Sequence, residues 1–230
     1  MLTLRKGTDR GVTQIDWLDS RHSFSFGEYY DPRHHHYRTL RVINDDRVAA
    51  GGGFPPHPHR DMEILTCILS GELEHADSLG TGAVIRAGEW QRMTAGSGVV
   101  HSEFNPSKTA ESHFLQIWIV PDRKGLPPEY EQKPLPAGLG QWRTIASPDG
   151  RDGSLTIHQD ALISSARIRE GENLNYSIGE GRGVWLHVAR GSVNANGHEL
   201  LAGDALAYDR EPQVVLTGRM EGEVVLFDLK

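Results

Sequence analysis

Four residues with metal-binding side chains stand in two short stretches. Pro55-Pro56-His57-Pro58-His59-Arg60-Asp61-Met62-Glu63 is answered downstream by Gly98-Val99-Val100-His101-Ser102-Glu103. Side chains at i and i+2 of a β-strand share a face. His57 and His59 therefore project together, as do His101 and Glu103. If the two strands lie side by side, three imidazoles and a carboxylate converge on one point. That donor set suits a divalent transition ion such as iron, nickel, copper, manganese or zinc. Glu63 has the same parity as His57 and His59. It is therefore expected to face the same cavity.

Such a site needs short strands to carry it. The chain has 230 residues, 26 of them glycine and 12 proline, in many small clusters that read as tight turns. Leu40-Arg41-Val42-Ile43, Ile64 to Leu69, Glu72 to His75, Ala83-Val84-Ile85 and Phe114 to Val120 read as strands, as does the alternation Phe24-Ser25-Phe26. They recur about every eight to twelve residues, the rhythm of a sandwich or barrel. No long stretch has a helical period. Pro121 to Pro136, with five prolines, reads as a linker, and Tyr130-Glu131-Gln132 is expected to drape over one domain. A second series of strands follows, so we expect domains at 1–134 and 135–230.

The halves echo one another. Ile68-Leu69-Ser70-Gly71-Glu72-Leu73 parallels Val188-Ala189-Arg190-Gly191-Ser192-Val193, and Ala87-Gly88-Glu89 parallels Ala202-Gly203-Asp204. This alignment sets Ser177 and Gly179 against His57 and His59, and Leu216 and Gly218 against His101 and Glu103. The second half is expected to repeat the first without ligands, giving one metal per chain. His158 and His187 are accordingly read as structural.

Composition narrows the function. A formal charge of −7, from 31 acids against 24 bases, disfavours direct nucleic-acid binding. No apolar run approaches a membrane span, and Met1-Leu2-Thr3-Leu4-Arg5-Lys6 lacks the apolar block of a secretory signal. A single cysteine, Cys67, forms no internal disulfide and fits a cytoplasmic protein. It reads as a small buried residue on a central strand. His34-His35-His36 reads as a solvated loop, and His75 and His113 as either cavity lining or surface.

Gly51-x5-His57-x-His59-x3-Glu63-x7-Gly71 resembles the first cupin motif, and Gly98-x2-His101-x3-Asn105 the second half of the second. Gly96 stands where cupins usually carry proline, and Gly88 is offset by two residues. His-Pro-His-Arg-Asp-Met-Glu at 57–63, His101-Ser102-Glu103 and Arg41 to Asp46 resemble the pirin family more closely. Tyr29-Tyr30-Asp31-Pro32, Ser147-Pro148-Asp149 and Arg151-Asp152-Gly153-Ser154 extend the likeness over nearly the whole chain.

The resemblance implies an all-β bicupin of two antiparallel jelly-roll barrels. It implies one divalent ion, with iron(II) ahead of manganese, nickel, cobalt, copper and zinc, held by His57, His59, His101 and Glu103. It also implies a quercetin 2,3-dioxygenase, opening the flavonol central ring with O2 and releasing carbon monoxide. Glu103, and after it Glu63, is the expected proton acceptor; the cupin likeness makes Glu63 the rival of Glu103 as ligand, whereas the pirin likeness implies that Glu63 orients a ligating histidine. The rival expectation from the same family is a metal-binding regulator acting through a protein partner.

Overall fold

The computed structural model describes residues 1–230. In chain order its strands are β1 (Leu2–Arg5), β2 (Gly11–Ile15), β3 (Leu18–His22), β4 (Leu40–Val48), β5 (Gly53–His59), β6 (Glu63–Ser70), β7 (Glu72–Asp77), β8 (Gly82–Arg86), β9 (Glu89–Thr94), β10 (Val99–Phe104), β11 (Ser112–Ile119) and β12 (Glu129–Pro134). They continue as β13 (Gly138–Leu139), β14 (Arg143–Ser147), β15 (Leu155–Thr156), β16 (Ala161–Ile168), β17 (Asn173–Ser177), β18 (Gly183–Arg190), β19 (Ser192–Ala195), β20 (His198–Leu201), β21 (Ala205–Asp209), β22 (Gln213–Gly218) and β23 (Gly222–Leu229). The helical elements are two 3-10 turns, Gly7–Asp9 and Arg151–Gly153. No helix is long and apolar enough to cross a membrane.

Two compact units form. The N-terminal unit comprises Gly11–Leu135 with Leu155–Gln159, and the C-terminal unit comprises Met1–Arg10, Pro136–Ser154 and Asp160–Lys230. The sequence reading used one boundary between residues 134 and 135; in the structure two short segments cross it. β1 pairs antiparallel with β21, and Asp204 accepts hydrogen bonds from Lys6 Nζ (2.9 Å) and the Gly7 amide (2.7 Å). His158, expected to belong to the half without ligands, lies within the N-terminal unit. Neither assignment is visible locally, because strand pairing between distant segments leaves no mark on their spacing.

The N-terminal unit stacks a seven-stranded sheet, β12-β9-β6-β11-β4-β3-β2, on a four-stranded sheet, β5-β10-β7-β8. These are open jelly-roll sandwiches rather than closed barrels. Leu18, Val48, Ile68 and Phe114 of the larger sheet meet Leu73 and Ile85 of the smaller. A second cluster joins Ile64, Met93, Ala95 and Val99. Each fully buried aliphatic side chain contributes about 1.5–3 kcal/mol. The continuous apolar run of β6 is buried from Glu63 to Leu69, Cys67 included, as expected for a central strand.

Two segments differ from the sequence reading. Residues 129–134 are not a drape but an edge strand, paired with β9 along their whole length. Proline is tolerated there because an edge strand needs only one row of amide donors. Phe24-Ser25-Phe26 forms no strand. The alternation there comes from a buried loop, in which Phe24 is fully packed and Phe26 makes a single bridge to Tyr29.

The C-terminal unit repeats the plan. The run β1-β21-β18-β23-β16-β14 forms most of its larger sheet, with β13 paired to β16, and its smaller sheet runs β17-β22-β19-β20. β17 pairs with β22 as β5 pairs with β10. Gly71 and Gly191 occupy the matching turns with φ of +74° and +67°. The interior differs. Val214 and Leu216 of β22 belong to a fully buried apolar cluster, with Leu174 and Tyr176 of β17 packed against it. Apolar side chains therefore fill the region where the first unit holds histidines.

Candidate metal centre

β5 delivers His57 and His59, and β10 delivers His101 and Glu103. The strands are antiparallel neighbours, with His101 directly opposite His57. Ring centroids lie 4.8 Å apart for His57–His59, 4.5 Å for His57–His101 and 4.8 Å for His59–His101. Ligand-type nitrogens of the three rings fall within 4.8 Å of one another. A second triad of ligand-type atoms, His75, His101 and Glu103, shares His101. On β10, His101 and Glu103 are buried while Val100 and Phe104 face outward, as strand parity requires.

Hydrogen bonds orient the donors. His57 Nδ1 lies 2.8 Å from the Pro55 carbonyl and must donate to it, which leaves its Nε2 lone pair free. Asp77 Oδ2 sits 2.9 Å from His75 Nε2, and His75 Nδ1 sits 3.4 Å from His101 Nδ1. An ionised carboxylate only accepts, so Nε2 of His75 carries its proton and Nδ1 is an acceptor. His101 Nδ1–H then donates to it, and the lone pair of His101 rests on Nε2. That Nε2 is buried without a protein partner. Both nitrogens of His75 are engaged in this chain, so it has no lone pair left for a cation.

Glu103 is held similarly. Gln116 Nε2 donates to Glu103 Oε2 at 2.8 Å, and Thr66 Oγ1 donates to Gln116 Oε1 at 3.1 Å. Glu103 Oε1 is buried and unpartnered. Buried polar atoms normally find partners. Two orphans at i and i+2 on one strand, with two more imidazoles near His101, fit a divalent ion in the chemistry of the donor set.

The electrostatics agree. Burial holds His101 down to about 2, helped by His57, His59 and His75, and holds His59 down to about 4, helped by His57. Burial also lowers His75, although its bond to Asp77 pulls the other way. Burial thus keeps His59 and His101 neutral near pH 7, each with a lone pair to offer. Burial raises Glu103 to about 7, against the pull of the Gln116 hydrogen bond. Asp46 is raised to about 7 by burial as well, with Ser20 opposing and Asp45 and Glu103 adding to the rise.

The structure does not bring Glu63 to the histidines. It begins β6 in the opposite sheet, beyond a turn in which Asp61 has a φ of +49°. That turn breaks the parity inferred from the sequence. Ile64 faces the cavity, so Glu63 points to the other face of its strand. There Thr94 Oγ1 donates to its Oε2 at 3.1 Å. Burial raises Glu63 to about 7, against Arg92, Thr94 and the His158 backbone. His35 and His36 are exposed as expected, and His113 pairs with Asp45 at 2.7 Å.

The sequence leaves His75 between cavity lining and surface, and it does not single out Asp77 or Gln116. The spacing His75-x-Asp77 was the available signal, since it sets both side chains on one face of β7. In register, Asp77 lies opposite His101 and His75 opposite Glu103.

A cavity of about 680 Å³ opens beside the cluster, lined by His57, His59 and Glu103. Leu18, Phe54, Ile64 and Trp118 supply apolar walls, with Phe26 and Tyr29 near them. The Trp118 ring meets His59 edge-on at 5.0 Å. Volume and lining suit a small, largely aromatic ligand.

Known proteins resemble the chain over its full length. The Pirin family profile matches residues 5–119, and that of the quercetinase C-terminal cupin domain matches residues 144–229. A quercetin 2,3-dioxygenase of Escherichia coli strain K12 is 45% identical over 229 residues, covering 100% of this chain and 99% of the relative. A pirin-like protein of Caulobacter vibrioides is 40% identical, covering 97% and 98%. The crystal structure of a bacterial pirin from Escherichia coli in complex with nickel(II) superposes with a TM-score of 0.96 at 44% identity, covering 100% and 99%.

Proposed function

The chain belongs to the pirin family and is a bicupin, and from this premise we propose that it is a metal-dependent quercetin 2,3-dioxygenase. The proposed reaction cleaves the flavonol central ring, both atoms of O2 enter the products, and carbon monoxide leaves. The observation that carries the proposal is the juxtaposition of an open aromatic-lined cavity with the unpartnered His101 Nε2 and Glu103 Oε1.

The proposed ligands are His57, His59, His101 and Glu103. His75 is left out because Asp77 and His101 engage both its nitrogens. When bound, the cation acts as a Lewis acid and lowers the pKa of a coordinated hydroxyl. The protein does the rest. The tautomers of His57 and His101, set by Pro55 and His75, leave Nε2 lone pairs, and burial keeps His59 and His101 unprotonated near neutrality. Glu103, with Oε2 tethered by Gln116, keeps Oε1 for the ion and accepts the proton of the substrate hydroxyl. Trp118, Phe54 and Ile64 exclude water and stack the flat substrate. Glu63 takes no part at the cavity; it braces Thr94 on the far side of β6.

The family likeness puts iron(II) first, and the related nickel(II) complex keeps nickel beside it. The lone buried Cys67 suits a cytoplasmic setting. The test loads the protein anaerobically with iron, manganese, nickel, cobalt or copper, then adds quercetin and O2. The expected result is flavonol loss with one carbon monoxide released per flavonol, abolished together with metal retention in His57→Ala and His101→Ala. Absence of turnover with every ion would overturn the proposal and favour a regulatory role.

A further inference from the structure

The cavity wall facing the ligand strands is not uniformly apolar. β3 and β4 set Ser20, His22, Asn44 and Asp46 on its surface, and all four are nearly inaccessible to bulk solvent. Ser20 lies opposite Asp46 in register, and His22 opposite Asn44. Each β3 residue ties down one atom of its β4 neighbour. Ser20 Oγ donates to Asp46 Oδ1. Thr13 Oγ1 lies 2.8 Å from His22 Nε2, and His22 Nδ1 lies 2.8 Å from Asn44 Oδ1. Because Asn44 Oδ1 can only accept, His22 Nδ1 carries the proton, and its Nε2 accepts from Thr13.

The remaining atoms are Asn44 Nδ2, a donor, and Asp46 Oδ2, an acceptor. Neither has a partner in the protein, and neither is among the sealed-off polar atoms. They belong to residues i and i+2 on one face of β4, whose backbone positions are roughly 7 Å apart along the strand. Beside them, Gln116 lies opposite Asn44 in register and holds Glu103. A cavity meant only for apolar contact would carry aliphatic residues at these positions, because buried polar groups are unfavourable without partners.

We infer that Asn44 and Asp46 form a hydroxyl-recognition subsite, reading phenolic OH groups of the ligand apart from the oxygens presented to the metal. A phenol is both donor and acceptor, so one hydroxyl can donate to the open carboxylate oxygen and another can accept from the open amide N–H. Two neighbouring phenols can engage both residues together. Ser20, His22 and Thr13 are positioning residues. They fix the rotamer of Asp46 and the amide orientation of Asn44, so that the acceptor and the donor face the ligand.

This inference rests on the reading of the protein as one that binds flavonols, and the test separates the two. Binding of quercetin and of 3-hydroxyflavone, which keeps the chelating oxygens but lacks the other hydroxyls, is measured anaerobically by titration calorimetry on nickel-loaded protein. Wild type is expected to prefer quercetin by about tenfold or more, the scale of one or two net hydrogen bonds. In Asp46→Asn and in Asn44→Ala the preference falls to within about twofold, through weaker quercetin binding with 3-hydroxyflavone unchanged. Metal content, measured in parallel, stays at the wild-type level. Two variants are used so that a folding defect in one leaves the other decisive. A preference that survives in the variants overturns the subsite and leaves the flavonol reading intact. If neither compound binds wild type, the flavonol reading fails and the subsite falls with it.

Discussion

At the scale of single residues, hydrogen bonds engage one end of three of the four proposed ligands and leave the other end for the proposed cation. Pro55 engages His57, Gln116 engages Glu103, and the chain Asp77–His75 engages His101. Partners of this kind set the tautomer and the basicity of a ligand. His75→Phe keeps the ring that packs on Tyr130 at 4.8 Å but removes the acceptor for His101. Its metal affinity is expected to fall about 10- to 100-fold in a chelator competition. Asp77→Asn, which leaves His75 in place, should fall less. Unchanged affinity in His75→Phe would show that the contact does not set the tautomer of His101.

Glu63 yields a prediction of a different kind. Its folded-state pKa is raised to about 7. The unfolded chain releases that proton near the ordinary value of about 4.3. Between these values the folded state binds the extra proton, so its contribution to stability is full at acid pH and declines as pH rises through about 7. Glu63→Gln cannot ionise. The melting temperature of the variant minus that of wild type should therefore grow from pH 5 to pH 8. A flat or falling difference would show that Arg92 compensates the buried charge.

At the scale of elements, each unit needs its chain to reverse sharply between the larger and the smaller sheet. β6 passes to β7 through Gly71, and β18 passes to β19 through Gly191, both in the left-handed region. A Cβ on Gly191 would lie 2.0 Å from the Glu221 carbonyl oxygen, and one on Gly71 would lie 2.7 Å from that of Glu111. Left-handed backbone alone costs an L-residue about 1–2 kcal/mol. Gly191→Ala adds a clash with backbone that cannot swing aside. Its unfolding free energy in urea should drop by more than that amount, and by more than in Gly71→Ala. Equal losses would mean that the turn at Gly191 relaxes. The same comparison shows how elements, not motifs, decide what each unit can do. β5 and β10 frame an open cavity, whereas Leu174, Tyr176, Val214 and Leu216 fill the space between β17, β22 and the opposing sheet.

At the scale of the whole molecule, the all-β class, the repeat and the four clustered ligand-type residues were legible in the chain. Strand signals are local: period two, turn glycines and apolar runs are written within a few residues of each other. His57-x-His59 and His101-x-Glu103 fixed shared faces for the same reason. Parity is a property of one strand, however, and it does not pass through a turn. Glu63 therefore went to the far face of β6, although three residues separate it from His59. Tertiary structure alone decided that His75, Asp77 and Gln116 would hydrogen-bond to or beside the proposed ligands, that Asn44 and Asp46 would share their cavity, and that residues 1–10 and 155–159 would join units remote in sequence. Those outcomes depend on which strands become neighbours. Neighbours are chosen by the burial of whole faces, a property that no short stretch of sequence contains.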